Sequence, residues 1–185
     1  MAKIKLITLR ELKTELKNLT NEELISLVTD ITKACPQAKQ FLTIKFAAKD
    51  NIESILEHYK EKVEHEFYPK RGHGRLNLRT AKNAISDFKK ISPNKDLEID
   101  LMLFYVENCV RFSDDYGDIS ESFYLSAESM FEKVIKMVNS CGEETYNKFS
   151  ERLKWATDNA THGWGFHDTM IHFYYELNWV DDDYE

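Results

Sequence analysis

Apolar residues recur along the chain at intervals of three and four, the spacing that lines one face of an α-helix, and strict alternation never lasts long enough to suggest a strand. The first two helical patterns, "TLRELKTELKN" and "TNEELISLVTDITKA", open with Thr8-x-x-Glu11 and Thr20-x-x-Glu23. These are capping boxes, in which the hydroxyl takes a free backbone N–H of the first turn and the glutamate reaches back to the cap. Pro36 suits the first turn of a third helix, where its missing N–H costs nothing. Asp50-x-x-Glu53 starts a fourth, with Ile52, Leu56, Tyr59, Val63 and Phe67 on one face, and Pro69 stops it.

Beyond the loop that follows, Leu78, Ala81, Ile85, Phe88 and Ile91 make another apolar stripe, with Asn77 as its cap. Ser92-Pro93 announces "LEIDLMLFYVENCVRF", apolar nearly all round except for Asp100, Glu107 and Arg111. Such a helix belongs at the centre of a bundle, which predicts Phe104 and Tyr105 in the core with Met130 and Phe131 of the next helix. That next helix carries Phe123, Ala127, Met130, Val134 and Val138 after a turn at Gly117, with Asp118-x-x-Glu121 as its capping box, and Gly142 closes it. Two further helices, near 143–160 and 165–180, complete the pattern, the last with Phe166, Met170, Phe173 and Leu177 as its core stripe. The expectation is an all-α fold: a compact bundle of about eight or nine helices stacked as antiparallel hairpins. It forms a single domain over 1–185, with 1–66 and 67–185 as the one plausible subdivision.

Composition adds little to that picture. The 185 residues are 42% hydrophobic, 31% charged and 12% aromatic, an ordinary globule able to bury a core without staples. Cys35, Cys109 and Cys141 are odd in number and widely spaced, with no C-x-x-C pair, so they read as small buried residues in a reducing compartment. No apolar run suits a signal peptide or a membrane span, and the expected location is the cytoplasm.

Charge changes the picture more. The net charge is −7, yet Phe67–Lys90 holds Lys70, Arg71, Arg75, Arg79, Lys82, Lys89 and Lys90 against Asp87 alone, a balance of +6. Everything outside that stretch therefore sums to −13. Gly72 and Gly74 sit in the same loop, just before a helix start, where free N–H groups favour anions. Two readings follow. In one, Lys70, Arg71, Arg75, Arg79 and Lys82 hold an external phosphate, sulfate or nucleic acid; in the other, the arginines converge on an internal carboxylate, Glu107 or the Asp114–Asp118 turn. The second is preferred. No P-loop spacing is present, so no nucleotide cradle is signalled.

Taken in order, "FYPKRG", "DLMLFYVENCVRF", "DYGDI", "SAESMFEK" and "GWGFHD" resemble a family of uncharacterised bacterial proteins of Bacteroidetes type, over nearly the whole chain to Leu177. The resemblance implies a cytoplasmic, all-helical bacterial protein and carries over no catalytic residue.

The segment "HGWGFHDTMIHFYYE" is the other place where chemistry could sit. Asp168, His172 and Glu176 lie at i, i+4 and i+8, and imidazole with carboxylates can ligate zinc, iron or manganese. His167-Asp168 is similar to the paired HD of helical metal phosphohydrolases, with His162 upstream. Those enzymes need a further aspartate well downstream, and only seventeen residues follow Asp168. His167, Asp168 and His172 therefore rank as weak metal candidates, and capping or hydrogen-bonded histidines are preferred. Gly163 and Gly165 around Trp164 suit a sharp turn and a close helix approach. "DDYGD" lacks the later glutamate of a calcium loop and reads as a turn with caps. The expected function is that of an interaction or scaffold protein with a protein partner, no cofactor, no membrane and no catalytic site. The alternative is a phosphate-ligand or nucleic-acid binder at Lys70–Lys90, and the distant one is a metal-dependent hydrolase at His162–His172.

Overall fold

The computed structural model describes residues 6–46, 49–70, 76–92 and 94–180. Among them are nine α-helices and no strand: α1 (Leu9–Leu16), α2 (Asn21–Ala34), α3 (Pro36–Phe46), α4 (Lys49–Phe67), α5 (Leu78–Ile91), α6 (Lys95–Tyr116), α7 (Glu121–Cys141), α8 (Glu143–Asp158) and α9 (Phe166–Tyr175), with a 3-10 turn at Gly163–Gly165.

Local chemistry sets most of the helix ends. Thr8 and Thr20 each accept from the N–H three residues on, while Glu11 and Glu23 accept the cap N–H at 2.8 and 2.7 Å. Asn77 caps α5 through Thr80 N–H, and Asn94 caps α6 through Asp96 N–H. The cap expected at Asp50 falls outside the described side chains. At α7 the expectation is corrected. Ser120, not Asp118, is the N-cap, its hydroxyl accepting from Phe123 N–H. Gly117 ends α6 with φ at +77°, and Asp118 after it lies two residues before the cap of α7.

The long central helix α6 is wrapped on several sides. It packs on α7, α4, α8 and α5, and α7 in turn carries α8 and α9. One buried cluster runs from Ile44 to Leu177 and contains Tyr59, Val63 and Phe67 of α4, Phe88 of α5, Tyr105 of α6, Phe131 of α7, Leu153 of α8 and Phe166 of α9. Tyr105, Met130 and Phe131 are buried as the pattern predicts. Phe104 is only half-buried, because it lies on the polar stripe of α6, where the Lys60 ammonium sits 5.7 Å from its ring centre. Cys109 is buried, but Cys35 and Cys141 are exposed at the ends of α2 and α7, where no neighbouring helix covers them.

The first two helices stand apart from this core. Neither α1 nor α2 buries a single residue, and α2 packs mainly on α3, which contributes only Ile44 to the core.

Candidate functional site

Of the cations in the basic segment, Arg71 and Arg75 lie outside the described residues. The others separate. Lys70 is near Glu61 at 3.9 Å with both side chains mostly in water, Lys89 is 4.0 Å from Glu98, and Lys90 pairs with Asp87 at 2.8 Å within α5. Arg79 is exposed on the first turn of α5. Lys82 turns inward: its ammonium donates to Ser126 Oγ at 2.9 Å, and that hydroxyl is 2.8 Å from the buried Tyr105 hydroxyl. Burial raises the phenol of Tyr105 and the thiol of neighbouring Cys109, so this line of groups ends in a protonated thiol of low reactivity.

The acids expected to receive these cations have other partners. Glu107 is gripped by Arg152 of α8, whose Nε and second terminal nitrogen donate to its two oxygens at 2.7 and 2.9 Å. The remaining guanidinium nitrogen donates to Asp100 Oδ1 at 2.7 Å, and Lys60 of α4 approaches the same oxygen at 3.3 Å. Asp115 accepts from the Tyr68 hydroxyl at 2.7 Å, while Asp114 and Asp118 are exposed. Glu107 is only 7% exposed at its side chain. Desolvation alone would loosen the proton of Arg152, but the hydrogen bonds and charge of Glu107, then those of Asp100, hold it more firmly than usual. The cluster is a clamp joining α4, α6 and α8. Sequence reading names its two acids and misses both cations. The signal for Arg152 is its place on the apolar stripe of α8, between Phe149 and Ala156, where a charge needs a buried partner.

The histidine segment is more open than a metal centre. The rings of His162 and His167 lie 4.4 Å apart, His167 Nδ1 is 3.8 Å from Asp168, and His172 Nε2 is 3.5 Å from Glu176. Asp168 and His172 point mostly into water. Among the described residues no three His, Cys, Asp or Glu side chains come together as a metal-holding group. The turn itself follows the glycines. A Cβ at Gly163 would stand 3.2 Å from Asp118 Oδ1 and 3.5 Å from the Tyr124 hydroxyl, so the chain passes close to the start of α7. Gly165 takes φ +71° and Trp164 itself takes +57°, which leaves the indole in solvent.

A cleft of about 550 Å³ lies along α4 and α5, with Tyr59 and Ala84 on its floor and His58, Lys62, His65 and Thr80 among its walls. Glu61, Glu64, Glu66 and Asp87 also line it, against Lys62 and Lys70, so its described lining is more acidic than basic. That balance does not favour a phosphate.

The largest unsatisfied feature is elsewhere. On α1, Leu9, Leu12 and Leu16 recur at i, i+3 and i+7; on α2, Leu24, Leu27, Val28 and Ile31 do the same. In the body such stripes are buried. Here Leu9 is 77% exposed, Val28 45% and Ile31 46%, while Leu16 and Leu24 are half-buried; beside the α2 stripe Ile25 is 67% exposed, and at the end of α3 Phe46 is 77% exposed. Single exposed leucines mean nothing, but apolar stripes left uncovered on two successive helices are the kind of feature that marks an interaction site. Sequence reading places the two helices by their capping boxes and assigns their apolar faces no role, because a stripe facing a partner has the same spacing as one facing the core.

Among the described residues no helix is long and apolar enough to cross a membrane. No curated protein and no solved structure matches the chain. A family profile does, over residues 7–175, from the uncovered helices through to the end of α9. The chain belongs to that family, DUF6155, a family of unknown function.

Proposed function

We propose that this is a helical interaction protein whose α1–α2 pair docks a protein partner through its two apolar stripes, the body α4–α9 acting as the platform. The observation that carries the reading is that α1 and α2 bury no residue of their own chain. An isolated helix shorter than about 12–15 residues is marginal in water, and most helical stability comes from packing an amphipathic face. At 8 residues α1 has a full capping box and no such packing. A partner covering Leu9, Leu12 and Leu16 supplies what the chain lacks.

Photo-crosslinking in living cells tests this. A benzophenone amino acid at Ile25 of the full chain is expected to give a discrete protein adduct. The same group at exposed Glu151 of α8 gives none, and Val28→Glu abolishes the Ile25 adduct. Equal labelling at both positions, or no adduct at Ile25, overturns the reading.

A further inference from the structure

We infer that the Gly163–Gly165 turn is a second docking point, at which Trp164 receives an arginine from a basic segment of a protein partner. This goes beyond the α1–α2 reading and does not rest on it. The first observation is a residue whose backbone and side chain both lack a reason within the chain. Trp164 takes φ +57° and ψ +21°, the left-handed region that glycine and asparagine enter readily and an indole does not. Burial offers nothing in return, since Trp164 is 59% exposed while Trp155 and Trp179 pack against the core. An outlier that packing does not explain points to a contact outside the chain.

Charge names the chemistry of that contact. Asp118 Oδ1 lies 3.2 Å from where a Cβ on Gly163 would stand. Consecutive Cα atoms are about 3.8 Å apart, so this carboxylate is within about 9 Å of the Trp164 Cα. Asp118 is exposed, and among the described residues no lysine or arginine pairs with it. The two stretches touch again where Thr161 Oγ1 donates to Ser113 Oγ at 3.2 Å. Residues 112–122 carry Asp114, Asp115, Asp118 and Glu121, residues 159–172 carry Asp168, and neither stretch has a lysine or arginine. Tryptophan is the best aromatic face for a cation, and guanidinium both stacks on a ring and forks to a carboxylate. The chain makes half of this contact within itself, with the Arg111 guanidinium 5.2 Å from the Trp155 ring. The same carboxylates repel nucleic acid and anionic membranes. Trp164 is no part of the described lining of the α4–α5 cleft, and an indole standing in solvent suits a side chain offered by a protein, where a small molecule needs enclosure.

Fluorescence anisotropy of a dye-labelled nona-arginine peptide, titrated with the purified full chain at low salt, tests this. Nona-arginine should bind more tightly than nona-lysine of equal charge. Trp164→Asn should weaken nona-arginine binding about three- to fivefold and remove its advantage over nona-lysine. Asparagine tolerates the left-handed conformation, so this variant should keep or raise the thermal transition of the parent chain. Asp118→Asn should also weaken binding, whereas Glu151→Gln, which removes the same charge from exposed α8 surface, should leave it nearly unchanged. If Trp164→Asn binds as the parent does, or Glu151→Gln costs as much as Asp118→Asn, net charge alone holds the peptide and the inference falls. Preference for vesicles of anionic lipid over the peptide, or self-association that Trp164→Asn abolishes, gives the turn a different occupant and overturns it equally.

Discussion

The successive helices α1 and α2 and the packed pair α6 and α7 are made from the same local ingredients and end in opposite surroundings. Each begins with side-chain caps, and each carries an apolar stripe at helical spacing. In α7 the stripe Phe123, Ala127, Phe131, Val134 and Val138 is buried completely or nearly so. In α2 Leu27, Val28 and Ile31 are 36%, 45% and 46% exposed and Leu24 is only half-buried. The difference teaches where helical stability resides. Caps and spacing decide that a helix forms and where it starts; burial decides how much its apolar face contributes. In α6–α7 the two decisions agree within one chain. In α1–α2 only the first has been made.

The comparison breaks most sharply by emptying each stripe. Phe131→Ala should cost about 3–5 kcal/mol of unfolding free energy by loss of burial and creation of a cavity. Ile25→Ala, in dilute protein, should stay within about 0.5 kcal/mol, as exposed substitutions do. Chemical denaturation followed by far-UV circular dichroism reads both, and an Ile25→Ala loss comparable with that of Phe131→Ala would show that α2 already has its cover.

The next effect concerns charge. Arg152→Ala strands Glu107 and should cost about 2–3 kcal/mol, less than the 3–5 of a fully enclosed pair, because a third of the arginine side chain meets water. An Arg152→Met, Glu107→Leu double variant should recover most of that loss, since apolar groups of similar size replace a buried ion pair at little cost. If the double variant is as unstable as the single one, the clamp contributes packing and not charge pairing.

The smallest effect sharpens the comparison at the caps. Glu11 and Glu23 are held below their ordinary 4.5, first by the backbone N–H of Thr8 and Thr20 and then by the threonine hydroxyls. A carboxyl lowered in the folded state stabilises above its ordinary value, and that help is lost as pH falls through the folded one. Acidification should therefore loosen α1 and α2 first, while α5, capped by the Asn77 amide, which has no proton to gain there, keeps its first turn. Backbone carbon shifts by NMR across the acid range will show whether the order holds; simultaneous loss of all three helices would refute it.

The helices themselves are legible in the sequence, because caps at Thr8, Thr20 and Asn77 and stripes such as Tyr59–Val63–Phe67 are local in origin. The α7 cap is misread at Asp118, since α6 ends at Gly117 and α7 starts only at Glu121, which makes Ser120 the cap. Glu107 and Asp100 stand out as charges on an otherwise apolar helix, but the cation that meets them lies 45 residues away in sequence from Glu107 and 52 from Asp100, a separation no local pattern spans. The uncovered face of α1–α2 is illegible for the same reason. Exposure is a property of what the rest of the chain fails to cover.

The clamp has a consequence for alignment. Asp100 and Glu107 are seven residues apart on α6, two turns or about 10 Å along its axis, and one guanidinium on α8 reaches both. Leucines and phenylalanines would let α8 slip along α6 and repack with modest loss. A one-turn slip of about 5.4 Å leaves at least one carboxylate without its hydrogen bonds in a nearly dry site. Arg152 thus acts as a pin in a vernier scale: it sets the axial position of α8, and through α8 that of α9, which packs against it.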